Sequence, residues 1–420
     1  MEKEIFESEY VHGIKEEMEM QRQKTEATIL KFLGKGPHAV EAYDTPEYYG
    51  SMLAWTVKCV TASPGFQIIS VLGLNYTKPF FSDIQTDYEA HESCLKSGLM
   101  QVERDGIRLT VTLDGPGYIQ IAAGEGHREK VEKFVEDIKD YMNKHNFYRG
   151  KKISFGGGIS FLNAGQRDWD SIVLDTDMKN SIRMNTIGFL TNVARIKELG
   201  IPAKRGIILD GDPGTGKTII CRALMSEAAN ITCIITDAYS VLYGNYISDL
   251  YSLAQDLSPS IVFIEDIDFL GHERHDYYHG TPPLLALLAE MDGITEKTAI
   301  VTVATSNIFK TLDKALSERP SRFDCVYRIN RPDGQQRVEL VNHISKKISL
   351  PKDIKEYVAK RTDGFTPAQV QEILYSMAIS HIVMEEETMQ FCYSDVDSAI
   401  ARMDHIENGR TMGFKSTCLK

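Results

Sequence analysis

Apolar residues recur at different spacings along the chain, and each spacing predicts a different element. Over residues 1–33 they are irregular (Ile5, Phe6, Val11, Ile14, Met18, Ile29, Leu30, Leu33) among polar and acidic neighbours. A partly exposed helix is expected there, with a partner-binding arm as the alternative. Residues 66–74, 107–113 and 118–122 are β-branched, aromatic or alternating runs bounded by Gly or Pro, which predicts strands. Asp114-Gly-Pro-Gly117 joins the last two as a hairpin. Residues 129–145 carry Val131, Phe134, Val135, Ile138 and Met142 at helical spacing on one face. Residues 153–161 alternate around three glycines, which reads as a bulged strand or a hinge.

From residue 172 the pattern changes. Apolar runs at 206–209, 233–236, 261–264, 299–304 and 326–329 alternate with helical stretches. Alternation of this kind predicts an α/β domain on a parallel sheet. Beyond Asn330-Arg-Pro332 the spacing is helical, at 335–344, 354–361 and 367–384. The expected organisation is a helical arm (1–39), an α+β domain (40–163), an α/β domain (164–330), a helical domain (331–405) and a tail (406–420). Nothing in 40–163 resembles an active site, so recruitment of a substrate or partner is its expected task.

Composition narrows the function. The 420 residues are 42% hydrophobic and 25% charged, with a net charge of −12. An acidic chain is a poor general binder of phosphate backbones. The seven cysteines are scattered without a Cys-x-x-Cys pair, as in a reducing compartment. There is no basic-then-apolar leader, and the apolar runs fall far short of the ~20 residues of a membrane span. A soluble, cytoplasmic protein with no membrane and no nucleic-acid partner is the expectation.

The chemistry begins at Gly211-Asp-Pro-Gly-Thr-Gly-Lys-Thr218, which fits G-x-x-x-x-G-K-[ST]. It follows the apolar run Ile207-Ile-Leu209 and opens a helical stretch, the context this loop requires. The backbone of Asp212, Pro213, Gly214, Thr215, Gly216 and Ile219 is the expected phosphate cradle, helped by the helix N-terminus. Lys217 is expected on the β- and γ-phosphates, and the Thr218 hydroxyl on Mg²⁺. Ser260-Ile-Val-Phe-Ile-Glu-Asp-Ile-Asp268 is an apolar strand ending in acids. At the carboxyl edge of a sheet, one carboxylate can hold Mg²⁺ through water while its neighbour activates the attacking water. Asn307 ends the next strand, where its amide can reach the γ-phosphate and that water.

With these residues the chain resembles the AAA family of ATPases over about 165–405. Trp169-Asp-Ser-Ile-Val-Leu174 is similar to the family's lead-in segment, and Ile172 and Val173 are the implied adenine contacts. Leu285-Ala-Leu-Leu-Ala-Glu-Met-Asp-Gly293, Leu312-Asp313, Arg319-Pro-Ser-Arg-Phe-Asp324 and Thr362-Asp-Gly-Phe-Thr-Pro-Ala368 resemble later family segments. The fold implied is a P-loop NTPase parallel-sheet domain with a C-terminal helical lid, preceded by the α+β domain. Asn307 then corresponds to the sensor residue, and Arg319 and Arg322 to arginine fingers that act on a neighbouring subunit's site. Two departures stand out. The acidic pair runs Glu265 then Asp266, the reverse of the usual order and similar to the subgroup containing the mitochondrial translocase of the Rieske iron–sulfur protein. Glu265 then takes the metal role with Thr218, and Asp266 the base role on a shorter side chain; Asp268 is able to replace either. No arginine lies among 365–370, so no second sensor arginine is expected.

Val241-Leu-Tyr-Gly-Asn-Tyr246 resembles a pore loop, with Tyr243 one position later than the usual aromatic and Leu242 in its place; ordinary packing is the other reading. Gly271-His-Glu-Arg-His-Asp-Tyr-Tyr-His-Gly280 reads as a solvated loop, and His272-Glu-Arg-His275 is not the H-E-x-x-H of the membrane proteases. The resemblance implies an ATP hydrolase using ATP and Mg²⁺. Its expected partners are further copies of itself, in a hexamer or a heptamer, and a protein that it remodels, unfolds or threads. A nucleic-acid motor or loader and a slow nucleotide-gated assembly scaffold are the alternatives.

Overall fold

The computed structural model describes residues 22–74, 78–163, 165, 167–241, 246–272, 283–294, 298–308, 323–383 and 390–407. The chain divides into two compact units, Met1–Asn163 and Ala164–Lys420.

In the first unit β1 (His38–Asp44), β2 (Phe66–Leu72), β3 (Phe80–Gln85), β4 (His91–Arg104), β5 (Ile107–Leu113) and β6 (Tyr118–Gly124) form an antiparallel sheet. The order is β1-β6-β5-β4-β2, with β3 on β4 as well. Helices α1 (Gly50–Thr61) and α2 (Arg128–Lys144) accompany it, after a further helical stretch over 22–33. Helix α2 buries the predicted stripe of Val131, Phe134, Val135, Ile138 and Met142. Phe134 meets Phe66 of β2 with ring centroids 4.8 Å apart. Each such side chain contributes about 1.5–3 kcal/mol when fully buried, so this stripe is what fastens the helix to the sheet. The glycine-rich stretch 153–161 is a hairpin of β7 (Lys152–Phe155) and β8 (Ile159–Phe161) rather than a single bulged strand. Tyr48 meets Phe155 edge-on, and Tyr148 lies at 30° to Phe161, which seats the hairpin among aromatic rings.

The second unit carries the parallel strands β9 (Lys204–Asp210), β10 (Thr232–Asp237), β11 (Ser260–Glu265), β12 (Ile300–Ser306) and β13 (Cys325–Arg328). They lie in the order β13-β9-β12-β11-β10. All their pairings are parallel, so the carboxyl ends of β9, β11 and β12 share one edge. This is the P-loop parallel-sheet fold. Its longer helices are α3 (Thr176–Arg183), α4 (Lys217–Glu227), α5 (Tyr246–Asp256) and α6 (Pro283–Gly293). Strand residues Ile207, Leu209, Cys233, Ile261, Phe263, Val301 and Val303 make one core with Ile220, Leu224 and Met225 of α4. Four further helices close a second core: α7 (Gly334–Ile344), α8 (Lys352–Arg361), α9 (Pro367–Val383) and α10 (Tyr393–Glu407). Asp333 starts α7 with a reciprocal capping box: its side chain accepts from Gln336 N, while Gln336 accepts from Asp333 N. Among the described residues no helix is long and apolar enough to cross a membrane.

Candidate active site

The loop between β9 and α4 is built for close approach. A Cβ on Gly211 would stand 2.3 Å from the carbonyl oxygen of Ile329, so only glycine fits there. Gly216 caps α4 with φ 103°, a conformation that side chains resist. The turn leaves the first N–H groups of α4 facing outward, which is the arrangement that receives phosphate. Lys217 is 7% exposed, and its ammonium donates to Gly211 O at 2.6 Å and Asp212 O at 3.0 Å. Burial lowers its pKa below the ordinary lysine value, against the opposing pull of Asp266, Asp210, Asp268 and Asp212. Phosphate oxygens approaching this cation offer a stronger charge partner than the two carbonyls.

Opposite the loop, the ends of β11 and β12 converge. The strands run in register to Ile264↔Ala304, which brings 265–268 beside 305–307. Asp266 leaves the sheet with φ 54°. Its N–H donates to Thr305 Oγ1 at 3.0 Å, and its Oδ1 accepts from Asn307 Nδ2 at 3.1 Å. Asp268 is also buried, and its two oxygens accept from Ser306 Oγ at 2.7 Å and Asn307 N at 2.6 Å. Asp268 is thus tied to the end of β12 and to the residue after it. Glu265 ends β11 with Oε1 buried and lacking a hydrogen-bond partner among the described residues. An orphaned carboxylate oxygen at the carboxyl end of β11 fits a hydrated divalent cation.

A cavity of about 810 Å³ gathers these groups. Pro213, Gly214, Gly216, Lys217, Thr218 and Ile219 form its loop side, and Asp266, Thr305 and Asn307 face them. Glu265 is not among the wall residues. Leu340, His343 and Ile344 of α7, with Ala368, Gln371 and Tyr375 of α9, close the remaining side. The part from α9 follows the segment 362–368, which the family resemblance marks as the start of the lid helix; the part from α7 was not foreseen, because nothing in its own string points to the loop more than a hundred residues upstream. The mixture of apolar and ring side chains suits a planar base. Ile172 and Val173 do not line the cavity. Trp169 Nε1 donates to Glu227 at the end of α4 at 2.7 Å, anchoring the lead-in segment. Ile172 is drawn into the strand core at 7% exposure, and Val173 packs against the helical core. Arg167 and Ser171 are the wall residues from this stretch.

The loop also touches the helical part directly. Gly214 O accepts from Ala368 N at 3.2 Å, and Asp212 pairs with Arg331 Nε at 2.8 Å. Arg331 Nη1 donates to Gly364 O at 2.6 Å. Arg319, Arg322, Leu242 and Tyr243, with most of the 271–280 loop, lie outside the described residues.

Comparison with known proteins agrees with this geometry. Residues 207–331 match the family described as "ATPase family associated with various cellular activities (AAA)". The ATP-dependent zinc metalloprotease FtsH of Mycoplasma pneumoniae is 32% identical over 231 residues, 52% of this chain and 32% of that protein. FTSH 1, the chloroplastic ATP-dependent zinc metalloprotease of Arabidopsis thaliana, is 30% identical over 257 residues, 59% of this chain and 34% of its own length. The mitochondrial inner membrane i-AAA protease supercomplex subunit YME1 of Saccharomyces cerevisiae is 31% identical over 201 residues, 46% of this chain and 27% of its own. The chain thus spans about a third of the length of these relatives, and its 420 residues contain no His-Glu-x-x-His string. What the match and the cavity share is the nucleotide machinery: the chain carries an ATP-hydrolysing domain of the AAA family, a domain that works on ATP with Mg²⁺.

Proposed function

We propose that the whole chain is a ring-forming ATPase that couples hydrolysis of Mg-ATP to remodelling, unfolding or threading of a protein. The observation that carries this reading is the meeting of Lys217, Thr218, Asp266 and Asn307 on one cavity, roofed by helices of a separate core.

The N–H groups at the start of α4 and the Lys217 ammonium hold the triphosphate. Thr218 and Glu265 would hold Mg²⁺, which would supply positive charge against the charge on the transferred group. Asp266 takes a proton from water as its oxygen bonds to the γ-phosphorus and the bond to the β-phosphate oxygen breaks. Asn307 Nδ2 holds the Asp266 carboxylate and is in place to touch the water. Arg319 and Arg322 of an adjoining copy would complete the site. Rotation of 331–405 as ATP becomes ADP would deliver the work, and 40–163 would receive the client. The reversed Glu265-Asp266 order supports a likeness to the Rieske-translocase subgroup, under which a heptamer is the alternative to a hexamer. The scattered cysteines support a reducing, cytoplasmic setting, and the acidic net charge favours a protein client over nucleic acid.

The test is turnover of Mg-ATP by the purified chain. Asp266→Asn is expected to bind ATP normally and lose hydrolysis by about 100-fold or more. Affinity capture with this stalled variant is then expected to retain a protein client. Nucleotide-independent behaviour, or stimulation by DNA or RNA alone, counts against the reading.

A further inference from the structure

We propose that Asp268 is a positioning residue for hydrolysis: it fixes Asn307, and through Asn307 the Asp266 carboxylate, at the angle the attacking water needs. The inference rests on the cavity being an ATPase site.

Strand β12 ends at Ser306, so the sheet no longer holds Asn307. A backbone tie joins the two strand ends, Ile267 N to Thr305 O at 2.9 Å. One residue further on, a carboxylate takes over. Asp268 Oδ2 accepts from Asn307 N at 2.6 Å, and Oδ1 accepts from Ser306 Oγ at 2.7 Å. Bonds of this kind to an ionised acceptor are stronger than neutral ones and more directional in effect. Asp268 is 7% exposed and is not part of the cavity wall, so it does not meet nucleotide itself. Its influence on the chemistry runs through the next bond, Asn307 Nδ2 to Asp266 Oδ1 at 3.1 Å. Asp266 in turn stands on an unusual backbone, φ 54°, steadied by Thr305 Oγ1. The catalytic side chain is shorter than a glutamate and has left the sheet. Its direction therefore depends on these lateral ties more than on its own strand.

The experiment compares kcat and ATP affinity in the full chain. Asp268→Asn keeps the shape and one acceptor, and Asp268→Ala removes both. Either is expected to lower kcat by about 10- to 100-fold, the cost of a misplacement near 1 Å, with affinity for a fluorescent ATP analogue held within about threefold. Retained analogue binding also certifies the fold of the variant. Ser306→Ala leaves the tie to Asn307 intact and is expected to cost much less. The decisive arm is a double-mutant cycle. In an Asn307→Ala background, adding Asp268→Asn is expected to cost less than about threefold more, because the group it acts through is gone. Losses that multiply in the double variant, or wild-type kcat in Asp268→Asn, overturn the proposal. A wild-type chain that binds ATP and never hydrolyses it overturns the underlying reading instead.

Discussion

The ammonium of Lys217 is held in the wall of the cavity, and burial keeps its pKa below the ordinary lysine value. The unfolded chain therefore binds the proton more tightly between the folded pKa and 10.5, the ordinary value. At neutral pH the charged lysine is a cost to folding, relieved as pH rises through that window. Lys217→Met removes the cost and the phosphate ligand together. Calorimetry is expected to show an unchanged or slightly higher Tm without nucleotide, and none of the Tm rise that Mg-ATP gives the parent. A clear fall in the nucleotide-free Tm would show that the bonds to Gly211 and Asp212 outweigh desolvation. The thiols give a second prediction. Burial pushes Cys94 up to about 11. Its thiolate fraction at pH 7 is then roughly one in ten thousand. Cys94 is expected to resist iodoacetamide under native conditions, while the exposed Cys392 reacts readily, as peptide mapping would reveal. At this scale the loop residues were legible because Gly, Lys and Thr at fixed spacing have few other uses. Thr305 and Arg331 were not, and of Asp268 only its place among the strand-end acids was. Their roles arise from the register of β11 against β12 and from the meeting of the loop with Gly364, neither of which is written in any local string.

Elements differ in how plainly their residues announce them. Strands β9 to β12 were legible as apolar runs because their central residues are buried on both faces. Helix α2 was legible because its single apolar stripe repeats at helical spacing. Helix α1 was not: Gly50–Thr61 is rich in Thr and Val, its N-cap Tyr49 makes no side-chain cap bond, and burial of Met52, Leu53, Val57 and Val60 holds it. Strand β4 was missed for another reason. Over 14 residues it carries charged and polar positions, and two different strands, β2 and β3, share one of its edges. The stripe of α2 supplies a test at this scale. Phe134 is fully buried against Phe66, and Arg104 stands 4.7 Å from the Phe66 ring while pairing with Asp137 of α2 at 2.8 Å. Phe134→Ala is expected to destabilise the first unit by about 3–5 kcal/mol. Urea denaturation should show it, with Mg-ATP binding by the second unit unaffected. A loss below about 1 kcal/mol would mean that the site collapses around the deletion.

For the whole molecule the question is whether one copy suffices. The described cavity gathers the glycine loop with Lys217 and Thr218, the Asp266 carboxylate and Asn307, all from one chain. The guanidinium groups that would stabilise charge on the departing phosphoryl group are assigned to Arg319 and Arg322, acting on a neighbour. If so, two inactive variants should rescue each other. Lys217→Ala lacks the phosphate ligand and keeps its fingers. Arg322→Ala keeps its phosphate ligand and lacks a finger. Each alone is expected to turn over ATP at least ~100-fold more slowly than the parent, since a finger supplies about 10³–10⁵ in rate elsewhere. Mixed in equal amounts and allowed to exchange, they form rings in which about a quarter of the interfaces join an intact site to an intact finger. Activity should then rise to a sizeable fraction of the parent's, peak near equal proportions and fall toward either pure variant. A finger acting within its own chain predicts the opposite: every copy stays defective, and activity never exceeds the weighted sum of the two. Because both variants keep the same surfaces for assembly, the shape of that mixing curve separates a shared site from a self-contained one.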